Sequence, residues 1–101
     1  MVNELKKVVW DEESRLQLKS LYEYIKTDSP RSAKKVRDDI VGIIRKLSSH
    51  PESHPADKYK INNDSSFRAF EKHRYRITYR IKEKEIRILR IRHVKMNPLE
   101  Y

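Results

Sequence analysis

Cysteine is absent from this chain of 101 residues, and glycine occurs only once. Without cysteine the protein has neither a disulfide nor a cysteine-ligated zinc or iron–sulfur centre, so packing alone must hold its interior together. A single glycine also excludes a glycine-rich phosphate-binding loop. His50 and His54 have a spacing suited to a metal, but the prolines beside them exclude the helix that would bring the two rings together. We therefore expect no metal ion and no other cofactor.

Long apolar runs are missing as well. No stretch approaches the roughly 20 residues that a membrane-spanning helix requires, and residues 1–7 lack the apolar core of a signal peptide. We expect a cytoplasmic protein with no membrane partner. The chain length and the 37% hydrophobic content suffice for one modest core, which predicts a single domain over residues 1–101.

Positive charge, by contrast, is abundant and is concentrated in one stretch. Residues 58–95 contain thirteen lysines or arginines and four acids, and the difference equals the net charge of the whole chain, +9. The first 57 residues are nearly balanced. This concentration of charge predicts a polyanionic partner, either a nucleic acid or a very acidic protein.

The first half of the sequence has the signals of a strand followed by two helices. Leu5–Trp10 is rich in residues that favour a pleated, packed surface, which predicts a strand. Asp11 is a suitable N-cap, and the apolar residues after it repeat at helical spacing to about Lys26. The pair Ser29-Pro30 starts a second helix, which runs to about Leu47.

The short connection between these helices predicts an antiparallel helical hairpin. Gly42 lies within the second helix, where a glycine costs about 1 kcal/mol relative to alanine. We expect this glycine to permit the close approach of a neighbouring element.

In the second half the apolar period changes from 3.6 to 2, which predicts strands. Short strands are expected at Lys58–Ile61 and Phe67–Phe70, with turn residues between them. A longer strand begins near Tyr75, and a tight turn leads from it to a last strand, Glu85–His93. The apolar residues of the last strand change parity after Ile88, which fits either a central strand covered on both faces or a β-bulge.

This order of elements predicts an α+β fold: an N-terminal strand, an antiparallel two-helix hairpin, and a three- to four-stranded, mostly antiparallel sheet with the helices packed on one face. Alternation along the longer strand then places a row of basic side chains on the other, open face. The row consists of Arg74, Arg76, Arg80 and Lys82. The open face is expected to bind a polyanion.

The residues from Phe67 to His93 resemble the RelE/ParE superfamily of bacterial toxins from type II toxin–antitoxin modules. The most recognisable part is the motif YRI-x-Y at 75–79 followed by I-x-I-L-x-I-x-H at 86–93, and the preceding strand and helical hairpin match the family's layout. The superfamily contains RelE-like enzymes, which cleave mRNA on the ribosome, and ParE-like proteins, which inhibit DNA gyrase. Both are neutralised by an antitoxin that wraps the toxin.

For a RelE-like enzyme, the resemblance implies catalytic roles near the end of the chain. Arg76 matches the arginine near the scissile phosphate, Lys95 the basic residue after the last strand, and Tyr101 the tail tyrosine that serves in proton transfer. His93 is suited to general acid or base catalysis, whereas Tyr101 needs a cationic neighbour to lower its pKa before it can act as a base. Five further cations are candidates for substrate binding: Lys58, Lys60, Arg68, Arg74 and Arg80.

Each assignment has a purely structural alternative. The arginines can be the solvated face of a half-buried strand, and His93 can cap the last strand. Tyr101 can be frayed, and Lys58 and Lys60 can be ordinary edge charges.

The leading hypothesis from sequence is metal-independent, ribosome-dependent mRNA cleavage. Two observations favour the ParE-like alternative, a non-catalytic gyrase inhibitor. His93–Asn97 resembles the H-x-R-M-D ending of ParE-like proteins, and Phe67–Phe70 lacks the paired lysines of RelE-like enzymes. A degenerate nucleic-acid-binding member of the family is a third possibility. For a toxin, the expected partners are a cognate acidic antitoxin in a hetero-oligomer and either the ribosome with its mRNA or DNA gyrase.

Overall fold

Two helices pack against one face of a four-stranded sheet in the computed structural model, which describes residues 5–101. The elements in chain order are β1 (Lys7–Trp10), α1 (Glu12–Lys26), α2 (Pro30–Lys46), β2 (Phe67–Lys72), β3 (Tyr75–Ile81) and β4 (Glu85–His93). The predicted α+β order and the helical hairpin are confirmed. The strand predicted at Lys58–Ile61 is wrong, because this segment consists of turns and a bend.

The helix starts agree with the capping signals in the sequence. The side chain of Ser29 accepts a hydrogen bond from the N–H of Ser32 at 3.1 Å, and Pro30 occupies the first turn of α2. Asp11 precedes α1 but makes no side-chain cap. Its carboxylate instead binds Arg87 at 2.7 Å, which ties the start of α1 to β4.

Gly42 does not serve a close contact. A Cβ atom placed on it would meet no heavy atom within 4 Å, so the expectation of close approach is wrong. The glycine lies on an open surface of α2, where a larger residue has room.

The strand order in the sheet is β1-β4-β3-β2, with β1 parallel to β4 and the other neighbours antiparallel. β4 is therefore an interior strand. In its register with β3, Thr78 lies opposite Arg90 and Tyr79 opposite Ile88, which leaves Leu89 as an extra residue in a β-bulge. The bulge accounts for the change of parity, because it returns Ile91 to the same face as Ile88.

One apolar cluster joins the helices to the sheet. Its buried members are Leu21, Ile40, Ile44, Leu47, Phe70, Ile77, Tyr79, Ile86, Ile88 and Ile91. The helix-side face of the sheet is thus sealed by packing. No helix within residues 5–101 is long and apolar enough to cross a membrane.

Candidate functional site

The face of the sheet turned away from the helices, here called the distal face, carries five arginines from two neighbouring strands. They are Arg76 and Arg80 of β3 and Arg87, Arg90 and Arg92 of β4. Their strand neighbours Ile77 and Tyr79 point the opposite way, into the core. Alternation from the sequence thus places Arg76 and Arg80 correctly.

Two segments cover the middle of the distal face, although alternation predicts that it is open. One is the turn segment at residues 57–61, and the other comprises residues 94–101, here called the tail. The N–H of Ile61 donates to the backbone oxygen of Tyr101 at 2.6 Å, and the N–H of Tyr101 donates to the carbonyl of Tyr59 at 3.2 Å. The prediction of an open face is wrong, because chain without regular structure folds back over the strands.

A buried carboxylate organises this cover. The side chain of Asp57 is only 2% exposed. Its Oδ1 accepts hydrogen bonds from Arg76 Nη2 at 2.7 Å and from the N–H of Tyr59 at 3.1 Å, and its Oδ2 accepts one from the hydroxyl of Tyr101 at 2.7 Å. Burial raises the pKa of Asp57, but the bonds from Tyr101 and Arg76 outweigh it and hold the pKa below its ordinary value.

Arg76 is consequently neutralised inside the protein. Besides Asp57, its guanidinium binds Glu71 at 3.0 Å and lies over the ring of Tyr59, with Cζ 4.9 Å from the centroid. Burial lowers the pKa of Arg76, and the hydrogen bonds to Asp57 and Glu71 more than reverse this, so its pKa is raised. A guanidinium already paired with two carboxylates is a weak ligand for a scissile phosphate.

Proton abstraction by Tyr101 needs a lowered pKa, and the surroundings of Tyr101 act in the opposite direction. Burial and the hydrogen bond to Asp57 raise its pKa well above the ordinary tyrosine value. A cationic neighbour is present, since Cζ of Arg90 lies 4.1 Å from the centre of the Tyr101 ring, but its effect is smaller. The condition for Tyr101 to act as a base, a pKa lowered by a cationic neighbour, is therefore not met.

His93 and Lys95 lie apart from the pair formed by Asp57 and Tyr101. His93 is opposite Tyr75 on the helix-side face, with ring centroids 5.1 Å apart. Its Nδ1 accepts the N–H of Lys95 at 3.0 Å, which corresponds to the structural role of capping the strand end. Lys95 is exposed and lines a separate groove with Tyr24.

The lysines predicted to bind substrate have unequal surroundings. Lys58 is exposed and lies beside the ring of Tyr59, with Nζ 5.2 Å from the centroid. Lys60 is half-buried, and its Nζ donates to the backbone oxygen of Ile61 at 2.8 Å and to that of Tyr101 at 3.4 Å. Lys60 thus helps to hold the tail.

The predicted arginines are also dispersed. Arg68 lies opposite Tyr79, on the helix-side face, and donates to the carbonyl of His54 at 2.8 Å. Arg74 leaves the row because it sits in the β2–β3 turn with a φ of 68°. Arg80 remains on the distal face, where its guanidinium carbon lies 4.6 Å from the ring centre of Phe67.

Sequence reasoning found Arg76 and Tyr101 but missed three other residues of the site, Asp57, Arg90 and Arg92. Asp57 stands alone just before the basic stretch, and nothing in a linear pattern marks it as buried. Arg90 and Arg92 follow the parity change in β4, so they become distal-face residues only once the bulge is known.

The tail and the sheet enclose a cleft, here called the arginine cleft. Its lining includes Asp57, Arg76, Arg90, Arg92 and Asn97. Nη2 of Arg92 donates to the carbonyl of Asn97 at 3.0 Å, so a second arginine of the cleft contacts the tail. In the described part of the chain, no group of three or more histidine, cysteine or acidic side chains is placed to hold a metal ion.

Comparison with solved structures identifies the fold first. The fold matches a chain from the chromosomal ParDE toxin–antitoxin system of P. aeruginosa with a TM-score of 0.71 and 24% identity, covering 91% of this chain and 99% of that one. It also matches a chain from the RelBE2 toxin–antitoxin complex of Mycobacterium tuberculosis, with a TM-score of 0.61 and 20% identity over 88% of this chain and 98% of that one. A chain of the YoeB dimer from Staphylococcus aureus is more distant, with a TM-score of 0.56 and 13% identity over 87% and 95% of the two chains. At these identities the likeness establishes a shared fold.

The sequence then gives the family. Residues 8–98 match the model of the family described as ParE toxin of type II toxin–antitoxin system, parDE. The chain therefore belongs to the ParE toxin family, within the superfamily that its strand motifs indicate. No curated protein sequence matches the chain.

Proposed function

We propose that this toxin arrests growth by binding and inhibiting DNA gyrase, without cleaving a bond of its own. The observation that carries the proposal is the buried Asp57 carboxylate, which engages both Arg76 and Tyr101. Membership in the ParE toxin family supports the same conclusion.

Metal-independent RNA cleavage requires a base for the 2′-hydroxyl and free cations around the phosphate. Asp57 is a poor base, since its lowered pKa weakens its affinity for a proton. Tyr101 stays protonated because its pKa is raised, and the charge of Arg76 is already compensated. Asp57, Tyr101 and Arg76 together thus offer neither a ready base nor an uncompensated arginine.

The proposal is tested with purified gyrase. The protein is expected to inhibit supercoiling of relaxed plasmid, and its induction is expected to trigger an SOS response before growth stops. Primer extension on a translated message from the same cells should show no codon-phased cuts. Normal supercoiling at toxin concentrations that arrest growth would refute gyrase as the target.

Ribosome-dependent mRNA cleavage is the second candidate, because Arg76, Arg90 and Arg92 line the arginine cleft. Ribosome binding would have to displace the tail to bring them to RNA. This candidate predicts codon-phased cuts that disappear in Arg76→Ala. A degenerate, nucleic-acid-binding family member would leave growth unaffected.

We also propose an acidic antitoxin as the natural partner. Two of the solved structures with this fold come from toxin–antitoxin systems, ParDE and RelBE2. A net charge of +9 favours an acidic partner segment that neutralises the basic strands. Co-expression with the neighbouring reading frame should yield a complex that co-purifies and restores growth. A cytoplasmic location stays a prediction.

A further inference from the structure

Several contacts of the tail are made with cations on or beside the distal face. The ring of Tyr101 lies under the guanidinium of Arg90, and the backbone oxygen of Tyr101 accepts a hydrogen bond from Nζ of Lys60. Asn97 accepts from Arg92. The tail thus occupies the positions that an anionic ligand of these three side chains would take.

Tyr101 anchors the far end of the tail, and hydrogen bonds at Val94 and Asn97 hold the rest of it. Residues 94–100 are all exposed, and the fractional exposures of Val94, Met96 and Leu99 are 42%, 52% and 43%. The half-buried Tyr101 provides the hydrogen bond to Asp57 and an edge-to-face contact with Phe67, with ring centroids 5.7 Å apart. A segment with so little apolar burial opens at low free-energy cost.

The covered surface has the composition of a site for single-stranded nucleic acid. Two aromatic rings outside the tail lie within stacking distance of cations of this surface: Tyr59 beside Arg76, and Phe67 beside Arg80. Cationic grooves with interleaved aromatic rings bind single strands because phosphates contact the cations while bases stack on the rings. The Nε atoms of Arg76 and Arg80 are buried and have no hydrogen-bond partner among residues 5–101, so donor capacity remains on this face.

We propose that the arginine cleft is a latent binding site for single-stranded nucleic acid, and that the tail, latched by Tyr101 on Asp57, is an intramolecular competitor for it. The strand must displace the tail to reach Arg90 and Arg92. Nucleic acid binding and tail release are then linked, so a weaker latch gives tighter binding. This site goes beyond gyrase inhibition and does not depend on it.

The first test weakens the latch while leaving the ring in place. Tyr101→Phe removes only the hydroxyl that donates to Asp57. In fluorescence anisotropy at low salt, this variant is expected to bind a labelled 12-nucleotide single strand about tenfold more tightly than the wild type, the scale of one hydrogen bond to a charged group. Tyr24→Phe is the matched control, because Tyr24 is 76% exposed on α1 and its hydroxyl should not affect the affinity.

Arg90→Ala added to Tyr101→Phe should reverse the gain and reduce the salt dependence of binding. Equal affinities of the wild type and Tyr101→Phe would overturn the competition. Tighter binding of a duplex than of a single strand would overturn the assignment of the ligand. Supercoiling inhibition measured on the same samples reports on the gyrase proposal separately, so either can fail alone.

A second test follows the latch directly by amide hydrogen exchange. The N–H groups of Ile61 and Tyr101 are bonded in the closed tail, and their exchange should accelerate when the single strand is added to the wild type. The backbone N–H of Lys82 donates to the backbone carbonyl of Glu85 at 2.8 Å in the β3–β4 turn. Its exchange should not change, so it serves as the internal reference. Unchanged exchange of Ile61 and Tyr101 in a saturated complex would show that the tail is not displaced, and would refute the proposal.

Discussion

The two faces of the central strands are closed in different ways. On the helix side, Ile77, Ile86 and Ile88 are fully buried by the side chains of α1 and α2. On the distal face, Arg76 binds the carboxylate of Asp57, which also accepts the Tyr101 hydroxyl, and Arg92 binds the backbone oxygen of Asn97. Packing is non-directional and strong in sum, whereas ionic and hydrogen-bonded cover exchanges with water or a competing ligand. One face is therefore built for stability and the other for reversible contact.

The largest expected effect lies on the packed face. Ile88→Ala should lower the free energy of unfolding by about 3 kcal/mol, because it removes a fully buried side chain from the middle of the core. Urea denaturation followed by circular dichroism measures it. Ile61→Ala is the matched control, since Ile61 is 56% exposed, and its effect should stay below about 0.5 kcal/mol. Similar losses for the two variants would contradict the comparison.

A smaller loss is expected at the centre of the distal cover. Asp57→Asn leaves the half-buried Arg76 with Glu71 as its remaining carboxylate and should cost about 2 kcal/mol in the same denaturation experiment. Asp38→Asn changes a half-exposed acid of α2 that pairs with Arg37, and should cost less than about 0.5 kcal/mol. A loss as large as that of Ile88→Ala would mean that the ionic cover is as essential to the fold as the core.

The contribution of Asp57 should also depend on pH. Because the folded-state pKa of Asp57 is lowered, its stabilisation is complete above the ordinary aspartate pKa of about 3.9 and is lost as pH falls through the folded value. Unfolding measured from pH 6 down to pH 2 should show the difference between wild type and Asp57→Asn shrinking at the acid end. A difference that stays constant over this pH range would show that the effect of Asp57→Asn does not come from the charge of Asp57.

The smallest effect is expected on the outer surface of α2. Gly42→Ala should raise the free energy of unfolding by about 0.5–1 kcal/mol, because alanine favours the helix and the new Cβ meets nothing within 4 Å. A thermal melt measures the gain. A loss of stability would show that the glycine has a packing role after all.

The sequence predicts the helix-side face of the sheet better than it predicts the distal face. Strand alternation, the Ser29 cap and the helical stripes fix the elements and the packed core, since these signals are local and periodic. The cover of the distal face depends on Asp57 and Tyr101, which are 44 residues apart and lie outside regular elements. No periodic pattern reports such a contact. The predicted active site consequently included Tyr101 without the carboxylate to which its hydroxyl donates.

The bulge in β4 has a consequence for reading related sequences. Leu89 shifts the alternation of side chains along β4 by one residue. Before Leu89 the even-numbered residues face the core, and after it the odd-numbered residues do. A relative that lacks this residue must be aligned with a gap there, or its core isoleucines will be matched to arginines of the opposite surface. Deleting Leu89 from this chain would remove the bulge and leave a regularly alternating strand, with Ile91 still facing the helices and Arg90 and Arg92 still on the distal face.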